Sequence, residues 1–295
     1  MPFLYAFAAA LAAAQQPTAA QPPASGGEAI VVIGQKDDRK AVSDFVRALT
    51  PVTSSGQLSR FEHSVCPAVF GLAPAQRTAV ETRIRLVAKT VGIVVGGEHC
   101  APNIVVIVAS DRNAVLKELR DHHADYFGDM PDHRIRDLER QPGPAAAWQI
   151  NGPPISAAGV DLYEDPDSGV YVNKTIESPS RITEPVRPQF DAAVVVIERK
   201  ALPGLTVTQL ADYAAMRALT GADPARLGNS AAPTILHVLD VPVGGETPIT
   251  MTQWDLAFLR GLYDARRNLR TSAQRSAISN SMTKDLHKPA PPPRP

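Results

Sequence analysis

Two short stretches hold the residues best suited to chemistry. Residues 61–67 read FEHSVCP and residues 97–102 read GEHCAP. Each carries Glu-His followed by a cysteine and a proline, and Cys66 and Cys100 are the only cysteines of the chain. Three chemistries fit these residue types: a zinc site made by His63, Cys66, His99 and Cys100, a pair of free or redox-active thiols, or a disulfide. A site with two His and two Cys needs all four side chains at about 2.0–2.3 Å from one ion. His99 and Cys100 are adjacent, so an extended backbone points them to opposite faces. His63 and Cys66, three apart, are separated in the same way within a strand. A metal site therefore requires both pairs to lie in loops. A disulfide requires only two Cα atoms about 4.4–6.8 Å apart. The pattern puts Cys66 after one strand and Cys100 before another, with a helix returning the chain between them. Parallel neighbouring strands would then bring the cysteines together. A Cys66–Cys100 disulfide is the expectation, with metal and free-thiol chemistry as the alternatives.

Other mechanistic spacings are missing. The chain has no His-Glu-x-x-His, no Gly-x-Ser-x-Gly and no phosphate-cradling glycine loop. Ser281 and Lys284 match Ser-x-x-Lys in spacing, but the companion Lys-Thr-Gly is absent. His122 and His123 are neighbours on a helical stretch and point about 100° apart, which suits a solvated helix end better than one metal. His133 sits among mixed charges, and His237 in an apolar run reads as a core histidine. No catalytic, cofactor-binding or metal-ligating residue is assigned, and no cofactor is expected.

The elements that would position these residues read as follows. Ala41, Val42, Phe45, Val46 and Leu49 mark a helical face, as do Val80, Ile84, Val87 and Val91 after Pro74. Residues 29–34, 61–66 and 103–109 read as strands, the last covered on both faces. Ser110 or Asp111 caps a helix containing Val115, Leu116 and Leu119. Residues 145–150 and 191–202 are further strands, and residues 159–176 form a hairpin with its turn at Asp165-Pro166-Asp167-Ser168-Gly169. The last third is helical: TVTQLADYAAMRAL with Val207, Leu210, Tyr213, Ala214 and Leu219 near one face, a short PTILHVLD helix, a helix capped by Thr252, and one over TSAQRSAISNSM. The expected fold class is α+β, a mixed β-sheet packed by helices, with one disulfide.

Composition bounds the partners. Thirty basic and thirty acidic residues give zero formal net charge, which lacks the basic excess of a nucleic-acid binder. No stretch after the N-terminus approaches the roughly 20 apolar residues of a membrane span. The first fourteen residues, MPFLYAFAAALAAA, are apolar and suit a signal peptide ending in small residues, although they contain no Lys or Arg. Residues 15–28 read as a disordered linker, residues 29–287 as a single α+β domain, and residues 288–295, KPAPPPRP, as a disordered Pro-rich tail. A periplasmic or secreted location follows from the export reading, and an oxidising compartment favours the disulfide.

The segments VCPAVFGLAPAQ, HCAPNIVVIVASD, LADYAAMRAL, PTILHVL and QWDLAFLRGLYDAR resemble a family of uncharacterised secreted proteins of high-GC alphaproteobacteria, over roughly residues 29–285. The resemblance implies export and pairing of Cys66 with Cys100, and carries no activity. A fainter likeness is to secreted domains that sit near metzincin-type zinc peptidases. Their His-Glu helix corresponds to residues 209–221, where this chain has Asp212 and Tyr213. That likeness implies a non-catalytic relative, with no ligand residue carried over. The functional expectation is an exported soluble protein that binds a partner, such as another envelope protein. The alternative is a secreted, peptidase-like hydrolase.

Overall fold

The computed structural model describes residues 39–50, 56–174, 183–228 and 230–288. The expected signal peptide, the linker, the strand at 29–34 and the tail beyond Lys288 lie outside them. The first described helix, α1 (Arg39–Leu49), buries Val42, Phe45, Val46 and Leu49, the i, i+3, i+4, i+7 stripe of an amphipathic helix. Strand β1 (Pro67–Phe70) leads into α2 (Pro74–Thr90), which starts on Pro74 because proline suits a first turn whose N–H is unpaired anyway. Strand β2 (Ile104–Ala109) is followed by α3 (Arg112–His122). The Asp111 carboxylate caps α3 by accepting the N–H groups of Asn113 and Ala114 at 2.8 and 3.1 Å. A 3-10 turn at Ala124–Phe127 and α4 (Asp132–Arg140) precede β3 (Ala145–Asn151).

Short strands β4 (Ile155–Ser156), β5 (Tyr163–Glu164), β6 (Tyr171–Val172) and β7 (Val186–Arg187) then lead to the long β8 (Phe190–Glu198). The expected turn joins β5 to β6. Asp165 accepts the N–H groups of Asp167 and Ser168, and Gly169 takes the positive φ of 64°. The C-terminal third is helical: α5 (Val207–Thr220), α6 (Gln253–Asp264) and α7 (Thr271–Leu286). Thr206 and Thr252 each close a capping box on their helix.

The main sheet has the order β1-β2-β8-β3. β1, β2 and β8 run parallel, and β3 pairs with β8 antiparallel as an edge strand. One face packs Ala146, Trp148, Val194 and Val196 against Leu116, Phe127 and Ile135, with the Phe127 and Trp148 rings stacked at 5.0 Å. The opposite face is covered by α2 and α5. Gly261 lets α6 approach α7, since a Cβ there would meet Ile278 at 3.1–3.3 Å. The fold is α+β, with a mixed sheet and a helical C-terminal third.

Three elements depart from the sequence reading. The strand expected at 61–66 lies at 67–70, so Cys66 precedes it. Phe61 and Val65 make only isolated bridges, to Phe190 and Val95. The reason lies between them, where Glu62 turns inward to three arginines described below. The PTILHVLD helix shrinks to a 3-10 turn at Ile235–His237. Helix α5, expected to bury one face, is buried on every side from Gln209 to Thr220.

Candidate functional site

The two motifs that suggested a metal site separate in the fold. Cys66 and Cys100 form a disulfide with Cα atoms 6.0 Å apart. It ties the start of β1 to the loop before β2. Asn103 braces that junction, accepting the Cys66 N–H at 2.7 Å and donating to the Ser64 carbonyl at 3.1 Å. The Arg85 guanidinium lies 3.4 Å from the Cys100 sulfur and donates to Gly96 O at 2.7 Å. His63 is exposed, 3.8 Å from Asp161, and His99 is exposed as well. Among the described residues no group of three or more His, Cys, Asp or Glu could hold a metal ion.

The repeated Glu-His has different fates. Glu98 is exposed, whereas the Glu62 carboxylate is 4% exposed and central to a charged cluster. Arg60 Nε reaches it at 3.0 Å, Arg267 Nη1 at 2.9 Å and Arg187 Nη2 at 3.5 Å. Arg60 also donates to the carbonyls of Leu262 and Ala265 at the end of α6. This cluster anchors the 57–62 segment to the C-terminal helices.

Helix α5 carries a second buried ion pair. Arg83 of α2 donates to both Asp212 oxygens, at 2.8 and 3.0 Å, and to Thr250 Oγ1 at 2.7 Å. Asp212 also accepts the Thr250 hydroxyl and the Met251 N–H, each at 2.7 Å. The position that the metzincin likeness aligned with a zinc-site helix is therefore occupied by a carboxylate held by an arginine. Asp255, fully buried in α6, accepts from the Thr234 hydroxyl and from the N–H groups of Ile235 and Thr252. Burial pushes its carboxyl above the usual range, and these hydrogen bonds oppose the rise.

A cleft of about 1040 Å³ has a wall that includes Met130, Arg134, Ala147, Gln149, Arg217 and Gly221. Its position follows from β3. The N–H of Glu198 bonds Pro144 O at 2.8 Å, and the N–H of Ala193 turns the other way, to Asn103 O. Antiparallel alternation then directs the N–H and C=O groups of Ala146, Trp148 and Ile150 at β8, and those of Ala147 and Gln149 outward. Among the described residues no backbone group pairs with that outward edge. Gln149 is fixed from its side chain: Nε2 donates to Arg217 O at 2.8 Å and Ala218 O at 3.3 Å, satisfying carbonyls at the end of α5. Gly221 ends α5 with φ 65°, and a Cβ there would meet Gln149 Oε1 at 2.8 Å. Gly221 is needed both for its backbone and for the space beside Gln149.

Two tyrosines bond groups of α5. Tyr263 Oη donates to Leu219 O at 2.8 Å, and Tyr213 Oη accepts from Arg217 Nη1 at 2.5 Å. Burial pushes both phenols above the ordinary tyrosine range. The unfolded chain releases these protons near pH 10. Stability is therefore full below that pH and falls as pH rises through the folded values. In an ultraviolet titration of tyrosinate, Tyr213 and Tyr263 are expected to ionise only together with alkaline unfolding. Ionisation of every tyrosine in the native protein near pH 10, with circular dichroism unchanged, would contradict their burial.

The remaining sequence candidates do not converge. His122 and His123 end α3 exposed, and His133 is exposed on α4. His237 is half-buried, with its Nδ1 3.9 Å from Asp240. Ser281 and Lys284 lie on α7, and neither lines the cleft. Sequence reasoning missed the β3 edge, Gln149 and Arg217. The available signal was Arg217 itself, a charge four residues after Tyr213 in a mostly apolar helix. Comparison with protein families, curated proteins and solved structures finds no match to this chain.

Proposed function

We propose that this is an exported, envelope-associated binding protein that takes an extended polypeptide segment along the free edge of β3. The observation that carries this reading is the outward backbone edge of Ala147 and Gln149, which opens into the cleft. An extended partner strand gains main-chain hydrogen bonds from such an edge and side-chain contacts from the adjoining pocket. The cleft volume matches that of ligand sites in general. A binding role is favoured over hydrolysis because no histidine, cysteine or lysine lines the cleft among the described residues. Export is supported by the apolar N-terminus and by the disulfide. No helix of the described residues is long and apolar enough to cross a membrane.

Ala147→Pro provides the test. Proline is tolerated on an edge strand where the lost N–H faces outward, so the β8 pairing is kept. The immobilised full chain is exposed to a pool of random decapeptides, and retained peptides are quantified by mass spectrometry. Retention by the wild type and about tenfold weaker retention by Ala147→Pro are expected, the equivalent of losing one or two edge hydrogen bonds. Equal retention by both proteins, with unchanged thermal stability, would refute the edge-strand site.

A further inference from the structure

Among the described residues, the buried arginines have acidic or carbonyl partners, with one exception in the cleft wall. Arg83 is held by Asp212, Arg60 and Arg187 by Glu62, and Arg112 by the carbonyls of Gly143 and Glu139. Arg217 is 2% exposed and lines the cleft. Among the described residues no carboxylate lies within ion-pair distance of it. Its Nη1 donates to the Tyr213 phenol, and its Nε is buried without a partner. Burial keeps that phenol protonated, so Tyr213 supplies no negative charge.

The neighbourhood compensates the charge only in part: the guanidinium lies over the Tyr213 ring, 5.6 Å from its centroid, and in the last turn of α5, and no carboxylate pairs with it among the described residues. Asp223, at the cleft wall, already accepts from Gln141 Nε2 at 2.9 Å and Ala225 N at 3.1 Å. The carbonyls of Arg217 and Ala218, at the negative end of the α5 dipole, are taken by Gln149. A buried cation without a counter-ion is costly, and in folded proteins such groups are paired or bind a ligand. The geometry also says which edge remains. Tyr213 occupies Nη1, which leaves the Nε and Nη2 edge, and a guanidinium edge of two parallel N–H groups matches a carboxylate.

We infer that Arg217 is the carboxylate-binding residue of the cleft, pairing with a carboxylate of an extended peptide docked beside β3. The carboxylate comes from the peptide's C-terminus or from an Asp or Glu side chain. The inference rests on the peptide reading of the cleft. It explains why a charge sits four residues from Tyr213 on a helix that is otherwise packed on all sides.

The first measurement uses the wild-type chain. The Nε–H resonance of Arg217, assigned with Arg217→Lys, is followed by nuclear magnetic resonance during titration with N-acetylalanine and with N-acetylalaninamide. A saturable shift with the acid alone is expected. No shift, or equal shifts with both probes, overturns the assignment. The second measurement compares three decapeptide pools on the immobilised chain: free-acid without Asp or Glu, amidated without Asp or Glu, and amidated with them. Retention of one acidic pool about 10- to 100-fold above the neutral amidated pool supports the site and identifies the carboxylate's source. Equal retention of all three pools, still lost in Ala147→Pro, overturns the Arg217 proposal and leaves the edge-strand reading standing. A saturable response to N-acetylalanine without retention of any pool does the reverse.

Discussion

Replacing Asp212 with alanine is expected to destabilise the protein by about 3–5 kcal/mol, because it leaves the Arg83 guanidinium buried without its counter-ion. That is a large share of the roughly 5–15 kcal/mol that holds a typical fold together. The pair is out of water: Arg83 is 1% exposed and Asp212 is 0% exposed. The carboxylate also holds Thr250 and the Met251 N–H, so its loss frees three partners at once. The double replacement of Arg83 by Met and Asp212 by Leu should recover most of the loss, since two apolar side chains need no hydrogen bonds. Urea unfolding of the two single variants and the double variant measures the coupling directly. A single-variant loss under about 1 kcal/mol would mean that water reaches the pair.

The second large effect concerns the disulfide. Converting Cys66 and Cys100 to serine should cost about 3–4 kcal/mol, from the closure entropy of a loop spanning 34 residues. The effect acts mainly on the unfolded chain, so the native β1–β2 register should persist in the variant. Urea unfolding with and without reductant gives the difference, and the unreduced denatured protein should titrate no free thiol. A difference below about 1 kcal/mol would mean that the crosslink constrains the unfolded chain far less than this treatment requires.

What was legible in the sequence were the elements with strong local patterns. The helix starting at Pro74, the capped helix after Asp111, the branched strand at 104–109 and the Asp165–Gly169 turn carry their own signals and appear where expected. The strand near Cys66 was misplaced because the path of 61–66 is set by Glu62 meeting Arg187 and Arg267 from distant segments. Helix α5 was read as burying one face, from the spacing of Val207, Leu210, Tyr213, Ala214 and Leu219, which leaves out Asp212 and Arg217. Nothing local shows that one is paired with Arg83 and that both are buried. The cleft was invisible for the same reason: Met130, Gln149 and Arg217 meet only through the order of the sheet strands.

The anchoring of the 57–62 segment has a kinetic consequence. The N–H of Leu58 is bonded by Gln274, 216 residues later, and Arg60 reaches the end of α6 across 205 residues. Contacts at such separation require the whole intervening chain, and topologies rich in them fold slowly. Because synthesis runs from the N-terminus, the loop closed by Cys66 and Cys100 is complete before the last two helices are made. The residues just before it must wait for the last two helices. Oxidation should therefore precede completion of the fold, and a chain truncated before residue 262 should keep the disulfide yet leave its 57–62 segment open to protease.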